Sequence, residues 1–403
     1  MAAPTRTHLS DLRGLSRMAF DASVGVAHIV EQMHRTVQRV RPPLGKPTTD
    51  RTGGITGLVY RSVRGGIGLV GKGIDAGLAP ITAMLPDGES TEGRDAFISA
   101  VNGVFGDYLA RTGNPLAIEM SLRHRGREIP LDDSAAAFAA TGGAAPTGRL
   151  LLLVHGLCLN DRQWTRNGHD HGLALAEELG YTPFYLRYNS GLHIAANGRK
   201  LAEALETLLR YWPVPVQELV IVGHSMGGLV ARAACHHAEG AGHAWPMHLR
   251  KLVFLGTPHH GAPLERGGHG LDFVMGLSPY SAPFTQIGKQ RSAGITDLRH
   301  GSITHGVHEH VPLPKGVECY AAAATLGSRR DLLSERLVGD GLVPLASALG
   351  RHAKAEHRLR IPESRRWIGY GMGHLELLCR PEVYAQLHEW LTDRAASEAG
   401  HSA

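Results

Sequence analysis

The stretch that decides the fold is Glu218–Gly228, which reads ELVIVGHSMGG. After Glu218, the residues Leu219–Val222 form a short apolar run typical of a buried strand, and the residues from Gly228 onward, GLVARAA, favour a helix. The pentapeptide between them, GHSMG, fits the pattern G-x-S-x-G, in which a serine lies on a sharp strand-to-helix turn. With 51 glycines in the chain the pentapeptide alone is weak evidence, and an incidental serine is the alternative. The flanking strand and helix therefore predict a nucleophile at Ser225, where helix N–H groups favour negative charge.

Short apolar runs alternate with helical patterns on both sides of this stretch. Strands are predicted at Ala117–Leu122, Leu150–His155, Pro183–Arg187, Leu219–Val222, Lys251–Leu255, Val317–Ala323 and Arg358–Ile361. Helices are predicted to begin at Leu173–Glu178 and to span Gly198–Tyr211, Gly228–His236 and Glu382–Leu391. This alternation predicts an α/β protein with a mostly parallel central sheet and helices on both faces.

An upstream strand indicates where an oxyanion would be bound. The run LLLLVHGL, residues 150–157, is a fully apolar strand that ends in His-Gly. In acyl-transfer hydrolases a glycine in such a loop lets backbone N–H groups turn toward the reacting oxygen. We therefore expect the backbone N–H groups of Leu157 and Met226 to form the oxyanion hole, and His155 to be structural.

An acid and a histidine follow the serine in the order that a catalytic triad of this type requires. Asp340 lies in the glycine-flanked segment GDGLVP after a predicted strand, and His374 lies in GMGHLE just before the last predicted helix. Small neighbours let an imidazole reach over the sheet edge to a serine hydroxyl. Asp331, in the charged run RRDLLSER, is the alternative acid.

Other polar and aromatic residues follow the predicted strands. Trp164, Leu192 and His259 are candidate walls of a substrate pocket, because ligands of open α/β sheets bind at the carboxyl edge; core and turn roles are the alternative. The histidines at positions 259, 260, 305, 308 and 310 also suggest a metal. Their spacing fits no zinc motif, so we expect loop histidines and no metal.

Together these motifs resemble the α/β-hydrolase superfamily, of the serine esterase/lipase type. The elbow GHSMGG, the strand LLLLVHGL and the pair GDGLVP and GMGHLEL carry the resemblance. GTPHHG at residues 256–261 is similar to a segment of bacterial triacylglycerol lipases and GPI-inositol-deacylase-like hydrolases. The resemblance covers about residues 145–395 and implies an α/β-hydrolase fold without metal or organic cofactor.

The predicted reaction is hydrolysis of a carboxylic ester, including lipid esters, through an acyl-enzyme on Ser225. The same triad would also serve a thioesterase or an acyltransferase. A non-catalytic, membrane-associated scaffold that kept a hydrolase fold is an alternative of a different class.

The chain is predicted to have an N-terminal extension and a catalytic domain. Residues 1–93 form the helical extension, and residues 94–403 form the domain, with an insertion at about 263–313 as the candidate lid. An amphipathic helix is expected over residues 26–40, and residues 55–81 are apolar and rich in glycine. Residues 1–90 carry 11 basic and 7 acidic side chains. This basic extension is expected either to lie on an anionic membrane surface or to pack as a helical layer on the domain or on a partner.

Composition and charge limit the remaining classes. Of 403 residues, 43% are hydrophobic and 20% charged, which suffices for a large core. The net charge of +5 comes without a long basic run, so nucleic-acid binding is not expected. The four cysteines form no CxxC pair and are expected to be free thiols, with one bridge as the alternative. We expect no signal peptide and no membrane-spanning helix, and therefore a cytoplasmic protein whose membrane contact is at most peripheral.

Overall fold

The computed structural model describes residues 11, 13, 14, 16–21, 92–132, 138, 145–262, 292–304, 310–328 and 339–392. The chain divides into two compact units, one of residues 1–94 with 111–117 and one of residues 95–110 with 118–403. The helix expected over residues 26–40, the apolar residues 55–81, Asp331 and residues 263–291 of the insertion lie outside the described residues. The predicted division into an extension and a catalytic domain stays a prediction.

A sheet of eight strands forms the centre of the described part of the larger unit. Its spatial order is β10-β9-β8-β7-β3-β6-β1-β2, and the six strands from β10 to β6 pair in parallel. The strands are β1 Ser121–His124, β2 Arg127–Glu128, β3 Arg149–Val154, β6 Thr182–Arg187, β7 Glu218–His224, β8 Leu249–Leu255, β9 Glu318–Thr325 and β10 Arg366–Tyr370. β1 and β2 add an antiparallel edge, and the short strands β4 Thr165–Arg166 and β5 His169–Asp170 pair separately. The prediction of a mostly parallel sheet is confirmed.

Seven α-helices have both of their ends among the described residues. They are α1 Glu92–Arg111, α2 His171–Leu179, α3 Ile194–Tyr211, α4 Met226–Ala241, α5 Ala293–His300, α6 Leu345–Ala348 and α7 Pro381–Leu391. Short 3₁₀ turns lie at Asp161–Trp164, Trp245–His248, Ala355–His357, Glu363–Arg365 and His374–Leu378. None of the described helices has the length and hydropathy that crossing a membrane requires.

Helices cover both faces of the sheet, as the continuous apolar strands require. On one face, alternate residues of β3, β7 and β8 pack into a core cluster with Leu175 of α2 and Trp390 of α7. On the opposite face α3 and α4 pack closely together: a Cβ atom on Gly198 would lie 2.4 Å from the Cβ of Ala233. α4 also lies against the sheet, since a Cβ on Gly228 would lie 2.9 Å from the Phe254 ring.

The strand predicted at Arg358–Ile361 is wrong. These residues pair with no strand, and the last strand is β10, which pairs in parallel with β9. The N–H of Leu359 donates to the carbonyl of Gly350, and the N–H of Ile361 donates to that of Leu359. These local hydrogen bonds use the backbone N–H groups that pairing with a neighbouring strand would need. Pro362, the next residue, has no N–H group with which to continue such pairing.

A buried ion network ties α1 to the sheet within the larger unit. The Asp95 carboxylate lies 2.8 Å from Nε of Arg162 and 3.0 Å from Nη2 of Arg187. Arg187 at the end of β6 also pairs with Asp161. The Asp95 side chain is only 4% exposed, so its removal would leave two guanidinium groups without that partner in a poorly hydrated place.

We predict that Asp95→Asn lowers the free energy of unfolding by about 2 kcal/mol, because two charge-assisted contacts are lost while Asp161 still pairs with Arg187. Urea unfolding followed by circular dichroism measures the change. Glu119→Gln is the matched control, because Glu119 is 86% exposed where it meets Lys200, and such pairs contribute about 0–1 kcal/mol. Equal effects of the two substitutions would contradict a structural role for the buried network.

Candidate active site

Ser225 occupies a strained turn between β7 and α4. Its backbone has φ 54° and ψ −123°, a conformation that non-glycine residues rarely adopt. The backbone holds it on both sides: the Ser225 N–H donates to the carbonyl of Leu255 at 2.8 Å, and the Ser225 carbonyl accepts from Gly228 at 3.1 Å. Such a backbone conformation costs roughly 1–3 kcal/mol of folding free energy and persists only where the surrounding structure enforces it.

Three glycines let the backbone close around this turn. A Cβ on Gly156 would lie 2.9 Å from the Cβ of Ser225, and one on Gly223 would lie 2.5 Å from the Cα of Gly228. A Cβ on Gly227 would lie 2.2 Å from the carbonyl oxygen of Val154, at the end of β3. These neighbours are backbone atoms and the Ser225 side chain itself, so the turn requires glycine at each of these positions.

Asp340 and His374 form a buried pair. Nδ1 of His374 lies 2.6 Å from Oδ2 of Asp340, and their side chains are 1% and 0% exposed. Oδ1 of Asp340 accepts the N–H groups of Leu342 and Val343, at 3.0 and 2.8 Å, which fixes the carboxylate. An ionised carboxylate only accepts hydrogen bonds, so Nδ1 of His374 is the donor in this contact.

The loop after β8 brings the histidine close to the serine. Leu255, which accepts the Ser225 N–H, is followed by Gly256 at φ 60°. A Cβ on Gly256 would lie 3.0 Å from Cε1 of His374. Oγ of Ser225 and Nε2 of His374 are both buried, and neither has a hydrogen-bond partner among the described residues. Catalytic hydrogen bonds are often long in a free enzyme and tighten when substrate binds.

Sequence reasoning gave no role to His224, the residue before the serine. Its ring centroid lies 4.7 Å from that of His374, and its Nε2 lies 3.2 Å from the His374 carbonyl oxygen. Burial first, and then the neighbouring imidazole of His374, hold the pKa of His224 well below its usual value. A neutral His224 therefore donates through Nε2–H to that carbonyl and supports the loop that carries His374. The only sequence signal is its place in GHSMG.

Of the two residues expected to donate to an oxyanion, one is next to the serine in sequence and the other lies in the loop that packs on it. Met226 follows Ser225 directly and begins α4, and Leu157 follows Gly156, which packs on the Ser225 side chain. The neighbouring His155 is structural: its ring stacks on Tyr188 at 4.3 Å, and burial lowers its pKa to about 3. These contacts fix the loop in place, and the oxyanion role of the two N–H groups stays a prediction.

The three candidate pocket residues lie in different surroundings. Trp164 is buried in the core cluster, and its ring meets that of His224 edge-on at 6.5 Å. Leu192 is half-buried, and its N–H donates to the carbonyl of Asn189. His259 is buried beside Arg232 and lines a separate cavity to which no triad side chain contributes. Their roles toward substrate stay predictions.

All four cysteines are free thiols, as expected. Among the described residues no three histidine, cysteine or acidic side chains are placed to hold a metal ion. His305 and His308 lie outside the described residues.

One comparison with known protein families matches part of the chain. Residues 145–319 match the family model described as PGAP1-like alpha/beta domain. A search of curated proteins gives no match. This match confirms the resemblance to the α/β-hydrolase superfamily, and the mostly parallel sheet with its serine turn is the α/β-hydrolase fold.

Several solved structures are similar to the chain. The mature lipase BlEst2 of Bacillus licheniformis is 18% identical, with a TM-score of 0.43, and the match covers 62% of this chain and 95% of that one. The esterase PF2001 of Pyrococcus furiosus is 13% identical, with a TM-score of 0.38 and coverages of 61% and 82%. The ester hydrolase EH1AB1 from the Lake Arreo metagenome is 15% identical, with a TM-score of 0.39 and coverages of 68% and 77%. These similarities are too distant to indicate a substrate.

We predict opposite effects for two glycine-to-alanine substitutions in α4. Gly227→Ala places a methyl group against two backbone carbonyls of the β3 end and should lower the free energy of unfolding by more than about 2 kcal/mol. Gly240→Ala is the control, because Gly240 is exposed and no atom lies within 4 Å of the position that its methyl group would take. It should raise the free energy of unfolding by about 0.5–1 kcal/mol, since alanine favours helix. Urea unfolding measures both, and a tolerated Gly227→Ala would contradict the close approach of α4 to β3.

Proposed function

We propose that the protein is a serine hydrolase that cleaves carboxylic esters through an acyl-enzyme, with Ser225, His374 and Asp340 as its triad. The observation that carries this proposal is the buried 2.6 Å contact of His374 Nδ1 with Asp340, which leaves Nε2 unpartnered near the strained Ser225. The match of residues 145–319 to the PGAP1-like alpha/beta domain supports a hydrolase in general terms.

In the proposed reaction, Oγ of Ser225 attacks the ester carbonyl while Nε2 of His374 takes the hydroxyl proton. The Asp340 carboxylate holds the imidazole in the required tautomer and stabilises the imidazolium that forms. His374 then gives its proton to the leaving alcohol, which leaves Ser225 acylated. Water, deprotonated by His374, attacks the acyl-enzyme and releases the carboxylic acid and the free serine.

Negative charge on the carbonyl oxygen is to be stabilised by the backbone N–H groups of Leu157 and Met226. Each such donor contributes about 2.7–4 kcal/mol to transition-state stabilisation in comparable sites. The helix position of Met226 supports this assignment, because the α4 N-terminus favours negative charge. The strain at Ser225 supports it as well, because the turn directs the side chain away from the helix and toward the sheet edge.

The test is hydrolysis of a short p-nitrophenyl ester by purified variants. We predict that Ser225→Ala and His374→Ala each lower kcat by about 10⁶-fold, and that Asp340→Asn lowers it by about 10⁴-fold through the wrong imidazole tautomer. His388→Ala, a surface histidine paired with Glu178, is the matched control and should retain full activity. Circular dichroism checks that each variant is folded.

Turnover by a folded Ser225→Ala protein at the rate of the unmodified protein would refute the proposal. A loss of activity in His388→Ala as large as that in His374→Ala would also contradict it, because the loss would then not depend on the triad.

A further inference from the structure

A cavity of about 480 Å³ lies beside α4 and is lined mainly by histidine, arginine and lysine side chains. Eight of its twelve lining residues are basic, namely six histidines, Arg232 and Lys354, and none of the twelve is acidic. The triad side chains do not line it. The esterase mechanism therefore gives this cavity no role.

One of the most buried of these groups is Arg232 of α4, which is only 5% exposed. Its Nη2 donates to the carbonyl of Val311 at 2.6 Å, and its Nη1 lies 3.4 Å from Nδ1 of His259. Its Nε is buried without a hydrogen-bond partner, and no carboxylate in the described part of the chain pairs with it. Burial lowers its pKa to about 10, so the guanidinium is still charged at neutral pH. A buried charge is costly without a counter-ion, and the described residues supply none, so an anionic ligand would stabilise this guanidinium.

The histidines around it have free ring nitrogens and close contacts with one another. Nε2 of His259 and Nε2 of His260 are buried without a partner. The ring centroids of His260 and His352 are 5.0 Å apart, as are those of His352 and His357. Burial lowers the pKa of His259 well below its usual value and that of His260 to about 4. Burial therefore favours the neutral forms of His259 and His260. Because Nδ1 of His259 faces the Nη1 donor of Arg232, the unpartnered Nε2 of a neutral His259 carries an N–H group.

We propose that this cavity binds a tetrahedral oxyanion, a phosphate or sulfate group, with Arg232 as its charged anchor and the surrounding imidazoles as further donors. The planar guanidinium fork matches the oxygen geometry of such anions. A metal ion fits less well, because a guanidinium repels it and no three described side chains are placed as ligands. The phosphate group could be free or could belong to a larger phosphomonoester, which the experiment distinguishes.

The proposal requires binding to strengthen as the pH falls. A bound dianion favours the protonated imidazoles and so raises their pKa values. For each proton taken up on binding, the affinity increases by up to about tenfold for every pH unit by which the pH is lowered. The charged or titratable groups facing the site are Arg232, His259, His260, His300, His310, His352, Lys354 and His357, with Arg366, Cys235 and Cys319 nearby. Sulfate stays a dianion throughout the range, so any change of its affinity reports on these groups and not on the ligand.

The experiment is isothermal titration calorimetry of the full chain with sodium sulfate, at about pH 5.5 and about pH 7.5. We expect one saturable site per chain and a Kd at least about tenfold lower at the lower pH. Inorganic phosphate and glycerol 3-phosphate, titrated in parallel, separate a free anion from a phosphomonoester. Vesicles of phosphatidylcholine containing phosphatidic acid test whether the group comes from a lipid surface.

Three variants connect binding to these residues. Arg232→Met should fold, because it replaces a buried charge that has no carboxylate partner among the described residues with an apolar chain of similar length, and it should lose sulfate binding. His352→Gln changes a half-buried ring that lines the cavity and should weaken sulfate binding by about tenfold. This variant keeps the test available if Arg232→Met fails to fold. Lys200→Gln, remote from the cavity lining, should bind like the unmodified protein.

Ser225→Ala should also bind sulfate unchanged, so failure of the ester-hydrolase proposal would be distinguishable from failure of this one. The proposal is overturned if the unmodified protein shows no saturable sulfate or phosphate binding, or if binding survives unchanged in Arg232→Met and His352→Gln. Binding of zinc chloride that His352→Gln abolishes, without any sulfate binding, would overturn it in favour of a metal site.

Discussion

Ser225 is held at a backbone angle of φ 54°, and the rest of the site depends on this constraint. An isolated chain would relax such a residue, because the conformation costs roughly 1–3 kcal/mol. Here the parallel sheet prevents relaxation, since the Ser225 N–H is bound to the carbonyl of Leu255 and Gly227 lies on the backbone of Val154. The packing energy of β3, β7 and β8 therefore maintains a strain that directs one hydroxyl toward the carboxyl edge of the sheet.

The same sheet explains how residues far apart in sequence meet. The carboxyl ends of parallel strands lie at one edge, and backbone bonds hold the two later loops there. The N–H of Leu326, just after β9, donates to Gly339 next to Asp340, and the N–H of Met372 donates to Thr325 at the end of β9. The loop of His374 is thereby fixed to the strand that carries the Asp340 segment. The Asp340 carboxylate orients the imidazole of His374, and His224 donates to the backbone carbonyl of the same residue.

Features set by neighbours in sequence were predictable, and features set by packing across the fold were not. The buried strands and the GHSMG turn are local patterns, so the sequence predicts β7, α4 and the order of serine, acid and histidine. The strand predicted at Arg358–Ile361 fails because loop contacts and Pro362 outweigh its apolar pattern. The support by His224 and the basic cavity around Arg232 depend on contacts between distant segments, for which spacing gives no signal. The catalytic roles of the triad and the oxyanion role of Leu157 and Met226 stay predictions.

The central claim is that one buried hydroxyl, that of Ser225, is a nucleophile activated by His374. The most direct measurement is labelling of the purified protein with a fluorophosphonate, followed by digestion and tandem mass spectrometry. We expect a single phosphonyl adduct, on Ser225, formed at a rate that falls by several orders of magnitude in His374→Ala. An unlabelled Ser225 in the folded, unmodified protein, or an adduct on a different residue, would contradict the claim.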